Sequence, residues 1–392
     1  MFYLLIIFFQ LIYEISCECV IVPVNIKPTP LVIHSTNQIA YSPAFLKRDE
    51  NITITCPGNQ VLYEGTRMGE VITITCGNFN TFMYGDQELQ FHSLACEDIP
   101  RNTIRYTGEK CLNGNREIEI GYLIPNYGFL RQILICFDAV YFSPIYSHFN
   151  LTSTILTRDS RVPRKFFEES GFYVTYNSLD NLYRRDKERE TINQQLELDR
   201  WSDKFIKNDD RFINRGHLTS KGDFVYAFQQ LATFHYVNSA PQWASFNGGN
   251  WNEVEISVRE LASTSSKNLE IYTGVYGTMS LPNQRHWRKV PLFLHNIQGK
   301  KLLPIPQLFW KLIYDRTSDK GIVIVGVNNI YELNMTEDVV CLDIGDRISW
   351  FNRKLQNQKH NIELGYIYAC SVNDFCKKTN YCPNLNVNNL LL

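Results

Sequence analysis

The sequence predicts an α+β fold, on three observations. Its first third is a series of short β-prone pieces separated by Gly, Asn and Pro and studded with cysteine. Its second half holds strong apolar strand signals, "FWKLIYD" and "GIVIVGVNN", and one clear amphipathic helix. No regular alternation of strand and helix runs through the chain, so a parallel α/β sheet is not expected. With 392 residues, 24 Phe and 22 Tyr, the chain has material for a sizeable core. A 44% hydrophobic and 20% charged composition excludes a disordered chain.

The opening "MFYLLIIFFQLIYEISCEC" reads as a secretory signal peptide spanning 1–17, cleaved after Cys17. Its apolar run, Phe2 to Tyr13, is short for a membrane span, so no membrane attachment is expected of the mature chain. Ten cysteines then remain: Cys19, Cys56, Cys76, Cys96, Cys111, Cys136, Cys341, Cys370, Cys376 and Cys382. An even number without CxxC pairs points to disulfides formed in an oxidising compartment, with their pairing left open. Sequons at Asn51, Asn150 and Asn334 agree with a secreted, extracellular protein.

Residues 18–120 read as a small disulfide-stapled β module. In it "NITITCPGN" and "VITITCGNF" repeat one another and place Cys56 and Cys76 in alternating strands. From 121 to 380 a larger domain is expected. Two aromatic-rich strands in "LRQILICFDAVYFSPIYSHFNLTSTI" open it, and a charged helix or extended loop, "NLYRRDKERETINQQLELDRWSDKF", follows. Leu231 to Asn238 reads as a buried strand. A helix is expected from about Trp251 to Ala262, with Val254, Val258 and Leu261 on its buried stripe. Residues 381–392 form a frayed tail.

The formal net charge of −1 gives no global field to gather a polyanion. It is unevenly spread: residues 1–150 hold 9 Lys and Arg against 14 Asp and Glu, and the remainder holds 30 against 26.

In that second part lies "FINRGHLTSKGDF". Alone, His217 is more often a satisfied structural ring than a base. Its spacing to other polar residues changes the reading: thirty positions on to Asn247, eight more to Glu255, four more to Arg259. On a continuous helix Asn247 and Glu255 would lie about 80° apart and Arg259 about 40° from Glu255, so all three would face one way. Phosphodiester hydrolysis wants these residue types. A neutral imidazole takes the proton of a water, and an amide oxygen with a nearby carboxylate suits a hard, hydrated cation. Arginines at 215 and 259 are suited to phosphoryl oxygens.

Together "NRGHLTSKGDF", "NSAPQWASFNGGNWNEVE" and Arg259 resemble the DNA/RNA non-specific endonuclease family, the ββα-metal or His-Me finger nucleases, over about residues 90–376. The family signature is Asp-Arg-Gly-His, then Asn-x-x-Pro-Gln, then Asn-x-x-x-Trp-x-x-x-Glu. It is matched here at Arg215, Gly216 and His217; at Asn238, Pro241 and Gln242; and at Asn247, Trp251 and Glu255. The resemblance is closest to the secreted arthropod branch called double-stranded ribonucleases, through the cysteine-rich start, "STI" before residue 156 and "R-x-TIN" at Arg189 to Asn193.

It implies a ββα-metal domain with a mixed, mainly antiparallel sheet and flanking helices. It implies His217 as general base, Asn247 as ligand of Mg²⁺ (or Mn²⁺), and Glu255 on the waters of that ion. Arg215 and Arg259 would contact phosphate, and Arg189 would be the upstream catalytic arginine. The substrates would be DNA and RNA held through the phosphate backbone, double-stranded RNA among them, cut to 5′-phosphate ends. Oligomeric state is not legible. Asn214 departs from the signature aspartate and removes a negative charge; the alternative it raises is a catalytically weakened homologue that binds nucleic acid or a partner. Trp243 and Trp251 are candidates for stacking on bases, with the core expected for Trp251, and His235 and His286 carry no assigned role.

Overall fold

The computed structural model describes residues 19–21, 28–33, 44–173, 178–297, 299–332, 335, 338–383, 385 and 387–392. The expected signal peptide, with Cys17, and the sequon at Asn334 lie outside them. Asn51 and Asn150 are both exposed.

A nine-stranded sheet forms the frame. Its strands are β1 (Thr103–Lys110), β2 (Arg116–Ile124), β3 (Gly128–Asp138), β4 (Ser143–Leu151), and then, after the residues that carry the site, Leu269–Tyr276, Leu308–Asp315, Lys320–Val327 and Ile367–Cys370. Neighbours along this order are antiparallel, and a final strand, Asn389–Leu390, pairs in parallel with Lys320–Val327. The fold is α+β and mainly antiparallel, as the sequence predicts.

The run "LFWKLIYD" is buried at every position because both faces of its strand are covered. Phe309 and Ile313 join one core, whereas Leu308, Trp310 and Leu312 join another on the opposite face. The sheet starts at Thr103, so the domain boundary expected near 120 falls inside β2. Ahead of it, strands Asn51–Thr55 and Val71–Cys76 pair antiparallel within a five-stranded sheet that has its own core.

All ten expected cysteines pair: Cys19–Cys76, Cys56–Cys96, Cys111–Cys136, Cys341–Cys370 and Cys376–Cys382.

Helix α1 (Arg185–Gln195) is the charged stretch, exposed on one side only, since Glu188, Ile192 and Asn193 are buried. After it comes a two-stranded hairpin of β5 (Ile213–His217) and β6 (Ser239–Trp243), followed by α2 (Ala244–Gly248) and α3 (Asn250–Thr264). The apolar stripe of α3 holds Trp251, Val254, Val258 and Ala262, with Leu261 partly buried beside it. Trp251 packs its ring 5.8 Å from that of Phe309 on the sheet. Trp243 and Trp251 are both core residues.

Three expectations are corrected. Leu231 to Asn238 is buried but is no strand: a helix ends at Leu231 and a 3₁₀ turn spans Tyr236–Asn238. Apolar content alone does not separate a strand from a packed turn. Here the Asn238 side chain takes the carbonyls of Thr219 and Thr233, at 2.9 Å each, and turns the chain. The single helix that would turn Asn247, Glu255 and Arg259 one way also does not form. Gly249, at φ −93° and ψ −120°, separates α2 from α3. A Cβ there would stand 2.3 Å from the carbonyl oxygen of Ser245. Finally, the tail does not fray: Asn389–Leu390 extends the sheet, and the Leu391 amide donates to Gly321.

Glu188 ties α1 to the hairpin by accepting the amide of Ile213 at 3.1 Å. Burial pushes its carboxyl up to about 8, against the smaller opposing effects of that hydrogen bond and of Arg185 and Arg215. A group raised in the folded state contributes stability that is present at acid pH and lost as pH climbs from the usual carboxylate range through about 8. Glu188→Gln keeps the carbonyl acceptor and does not titrate. Its melting temperature is therefore expected to match or trail the wild type at pH 5 and to exceed it at pH 9, which thermal unfolding across that range will check; a pH-independent difference would contradict the assignment.

Candidate active site

The hairpin sets the position of His217. In its register His217 faces Ser239, and Asn214 faces Gln242. Gly216 is required by packing, since a Cβ there would come 2.2 Å from Oε1 of the buried Gln242. Directly after His217 the chain is clamped by Asn238. The Leu218 amide donates to the Asn238 carbonyl (2.9 Å), the Thr219 amide to its Oδ1 (3.0 Å), and Asn238 Nδ2 to the Thr219 carbonyl.

The next turn, Ser220 to Asp223, docks on α3. Ser220 hydrogen-bonds Glu255. Arg259 donates to Asp223 Oδ1 at 2.7 Å, and its Nη1 lies 3.8 Å from Glu255. Lys311, from the sheet beneath, is buried and donates to Thr273 Oγ1 at 2.6 Å. It stands 6.0 Å from the Trp251 ring. Asp223, Glu255, Arg259 and Lys311 thus form a buried set of two carboxylates and two cations. Desolvation and the neighbouring Asp223 raise Glu255, and Arg259 and Lys311 oppose that. Burial lowers Lys311.

The imidazole sits in an aromatic box. Its centroid lies 4.8 Å from that of Phe167 and 5.0 Å from that of Phe234. Its Nε2 is buried with no hydrogen-bond partner among the described residues. Burial, then the charges of Arg164 and Lys221, push its pKa down to about 3, so the ring is neutral at ordinary pH. A neutral imidazole is the form that accepts a proton.

Arg215, on the same strand, donates to Tyr236 Oη (2.8 Å) and Asp180 Oδ1 (2.7 Å) and lies over the Tyr183 ring at 4.8 Å. Asn214 is half-buried, and its Oδ1 accepts the Arg215 amide at 2.9 Å. Asn247 is half-buried on α2, and its side chain makes no hydrogen bond among the described residues.

The structure therefore links His217, Glu255 and Arg259 through one turn. Arg259 is only 6% exposed and is committed to carboxylates, which is a positioning geometry rather than an open phosphate contact. Arg189 points elsewhere: it donates to the Ile206 carbonyl (3.0 Å) and to Asn208 (3.2 Å), holding the loop ahead of the hairpin.

Sequence reasoning passes over several members. Asp223 lies inside the motif stretch. Lys311 is a lone cation in an apolar strand, a signal that was available. Arg158 is half-buried beside Arg259 and Asp223, and Arg164 faces His217; neither has any motif around it.

Breaking a buried ion pair from one side leaves an uncompensated charge and costs about 3–5 kcal/mol. Asp223→Ala is expected to destabilise the fold by that order, measured by chemical denaturation; a loss below about 1 kcal/mol would show that the pair does not anchor the turn.

A model of the DNA/RNA non-specific endonuclease family matches residues 113–375. The chain is 28% identical over 369 residues to a salivary endonuclease of Lutzomyia longipalpis, covering 94% of this chain and 82% of that one. It is 25% identical to the salivary protein Tsal2A of Glossina morsitans morsitans, covering 88% and 87%. Over a shorter stretch, 27% of each chain, it is 29% identical to the mitochondrial nuclease EXOG of Homo sapiens.

Proposed function

The chain belongs to the DNA/RNA non-specific endonuclease family and is a nuclease, and from that premise we propose a secreted, divalent-metal-dependent enzyme that hydrolyses phosphodiester bonds of DNA and RNA without sequence preference, leaving 5′-phosphate ends. The observation that carries the mechanism is the neutral, boxed imidazole of His217 at the head of a turn docked on Glu255.

In this reading His217 accepts the proton of the attacking water. Phe167 and Phe234 hold the ring in place and keep bulk water from its faces. Arg215, half-exposed at the cavity edge, binds a phosphoryl oxygen. Arg259 acts indirectly, orienting Glu255 and the turn.

The donor set fits a hard cation: the amide of Asn247 is uncommitted, and the carboxylate of Glu255 lies one helix on. Mg²⁺ or Mn²⁺ on Asn247, its waters ordered by Glu255, would supply positive charge to the phosphoryl and departing oxygens. Lack of sequence preference follows if contacts go to phosphate, which carries no base information. Five disulfides and the names of the salivary relatives support secretion.

His217→Ala is expected to lower kcat on plasmid DNA and on RNA by at least ~100-fold, while filter binding of the same nucleic acids persists. Asn247→Ala, or chelation by EDTA, should abolish cleavage in the same assay, and full activity in either case would remove the cation from the mechanism. Because the folded His217 is depressed to about 3, its neutral form persists well below the usual histidine range. The acid limb of kcat/KM should accordingly fall below pH 6; a limb centred at the ordinary imidazole value would argue against this ring as the base.

A further inference from the structure

Between β4 and α1 the chain runs past the hairpin, carrying Arg158, Arg161, Arg164 and Lys165 within eight positions, followed by Phe166 and Phe167. Beside this segment opens a cavity of about 480 Å³, lined by Arg164, Phe166, Phe167, Arg184, Asn214 and Arg215 among others. That volume is within the range of sites that hold small ligands. Phe167 belongs both to the cavity wall and to the aromatic box of His217, so cavity and imidazole share a wall.

Two features of the rim have no structural use. Phe166 is 88% exposed and makes no ring contact among the described residues, although an exposed phenyl group gains nothing from water. Arg164 forms no ion pair among the described residues, whereas Lys165, Arg184 and Arg215 each have a carboxylate partner. An open aromatic face and an uncommitted guanidinium, two positions apart in sequence, are the elements with which proteins hold an unpaired nucleotide. The base stacks on the ring and the phosphate meets the cation.

We propose that this cavity is a subsite for the nucleotide beside the cleaved bond, in which Phe166 stacks on an unpaired base and Arg164 binds the adjoining phosphate. The inference rests on the nuclease reading above and adds a substrate class to it: single-stranded or locally unpaired DNA and RNA. Within a duplex each base is covered on both faces by its neighbours, so a side chain at this rim stacks only on a base that has left the helix. Duplex binding does not use Phe166.

The test compares a fluorescein-labelled 12-mer of oligothymidylate with a labelled blunt duplex, bound to the full chain carrying His217→Ala, with and without Phe166→Ala. The second substitution should weaken single-strand binding ~5-fold or more and change duplex binding less than about twofold. Arg164→Ala should lower the slope of log K against log salt by about one on the single strand. Equal effects of Phe166→Ala on both ligands, or none on either, overturn the subsite.

In case His217→Ala perturbs folding, Phe166→Ala alone is assayed for cleavage, where KM for the single strand should rise with kcat little changed; an unchanged KM overturns the proposal as well. If the wild type cuts neither substrate yet single-strand binding depends on Phe166, the subsite stands and the nuclease mechanism fails. If it cuts both and Phe166→Ala is indistinguishable from it, the mechanism stands and the subsite fails.

Discussion

The ion pair between Arg259 and Asp223 is the contact on which the rest of the site depends. It fastens the turn that follows His217 to the helix that carries Glu255, at 2.7 Å and with both side chains about 5% exposed. Buried charges are costly unless paired and hydrogen-bonded. The fold meets that cost by gathering two carboxylates and two cations, with Ser220 and Thr273 as further partners. A strand, a turn, a helix and the central sheet therefore have one relative placement in which all four charges are matched.

On the other side of His217 the means is different. Phe167 and Phe234 surround the ring with apolar surface, and Asn238 holds the backbone that leaves it. The ring is neutral because it is dry and near cations, and it is held because its neighbours are packed. The ring's neutral form and its position thus come in part from the same residues. The aromatic wall also separates the imidazole from the adjacent cavity, while the strap of arginines beyond it adds positive charge that the overall balance of −1 conceals.

Much of this is legible in the sequence. The α+β class is legible from the strand signals, the Trp251 to Ala262 stripe is the buried face of a helix, and the ten cysteines pair among themselves. What escaped was whatever depends on distant parts of the chain. Arg158, Arg164 and Lys311 come to the site from segments with no motif, through the packing of β4's exit and of the sheet. The break at Gly249 is hidden from a helical wheel, which assumes continuity, because it depends on the Ser245 carbonyl that a side chain there would strike. Spacing reports which way Arg259 faces on its own helix, and not that Asp223 stands opposite.

The covalent bridges are distributed unevenly. Three lie before residue 137 and two after residue 340, so the long stretch between, which holds the imidazole, its clamp and its charged anchor, contains no cross-link at all. The disulfides therefore fasten the chain before and after this stretch and leave the stretch itself to be held by packing, hydrogen bonds and charge. A reducing agent would cut two bridges rooted in the central sheet, at Cys136 and Cys370, and the hairpin would feel the loss only through that frame.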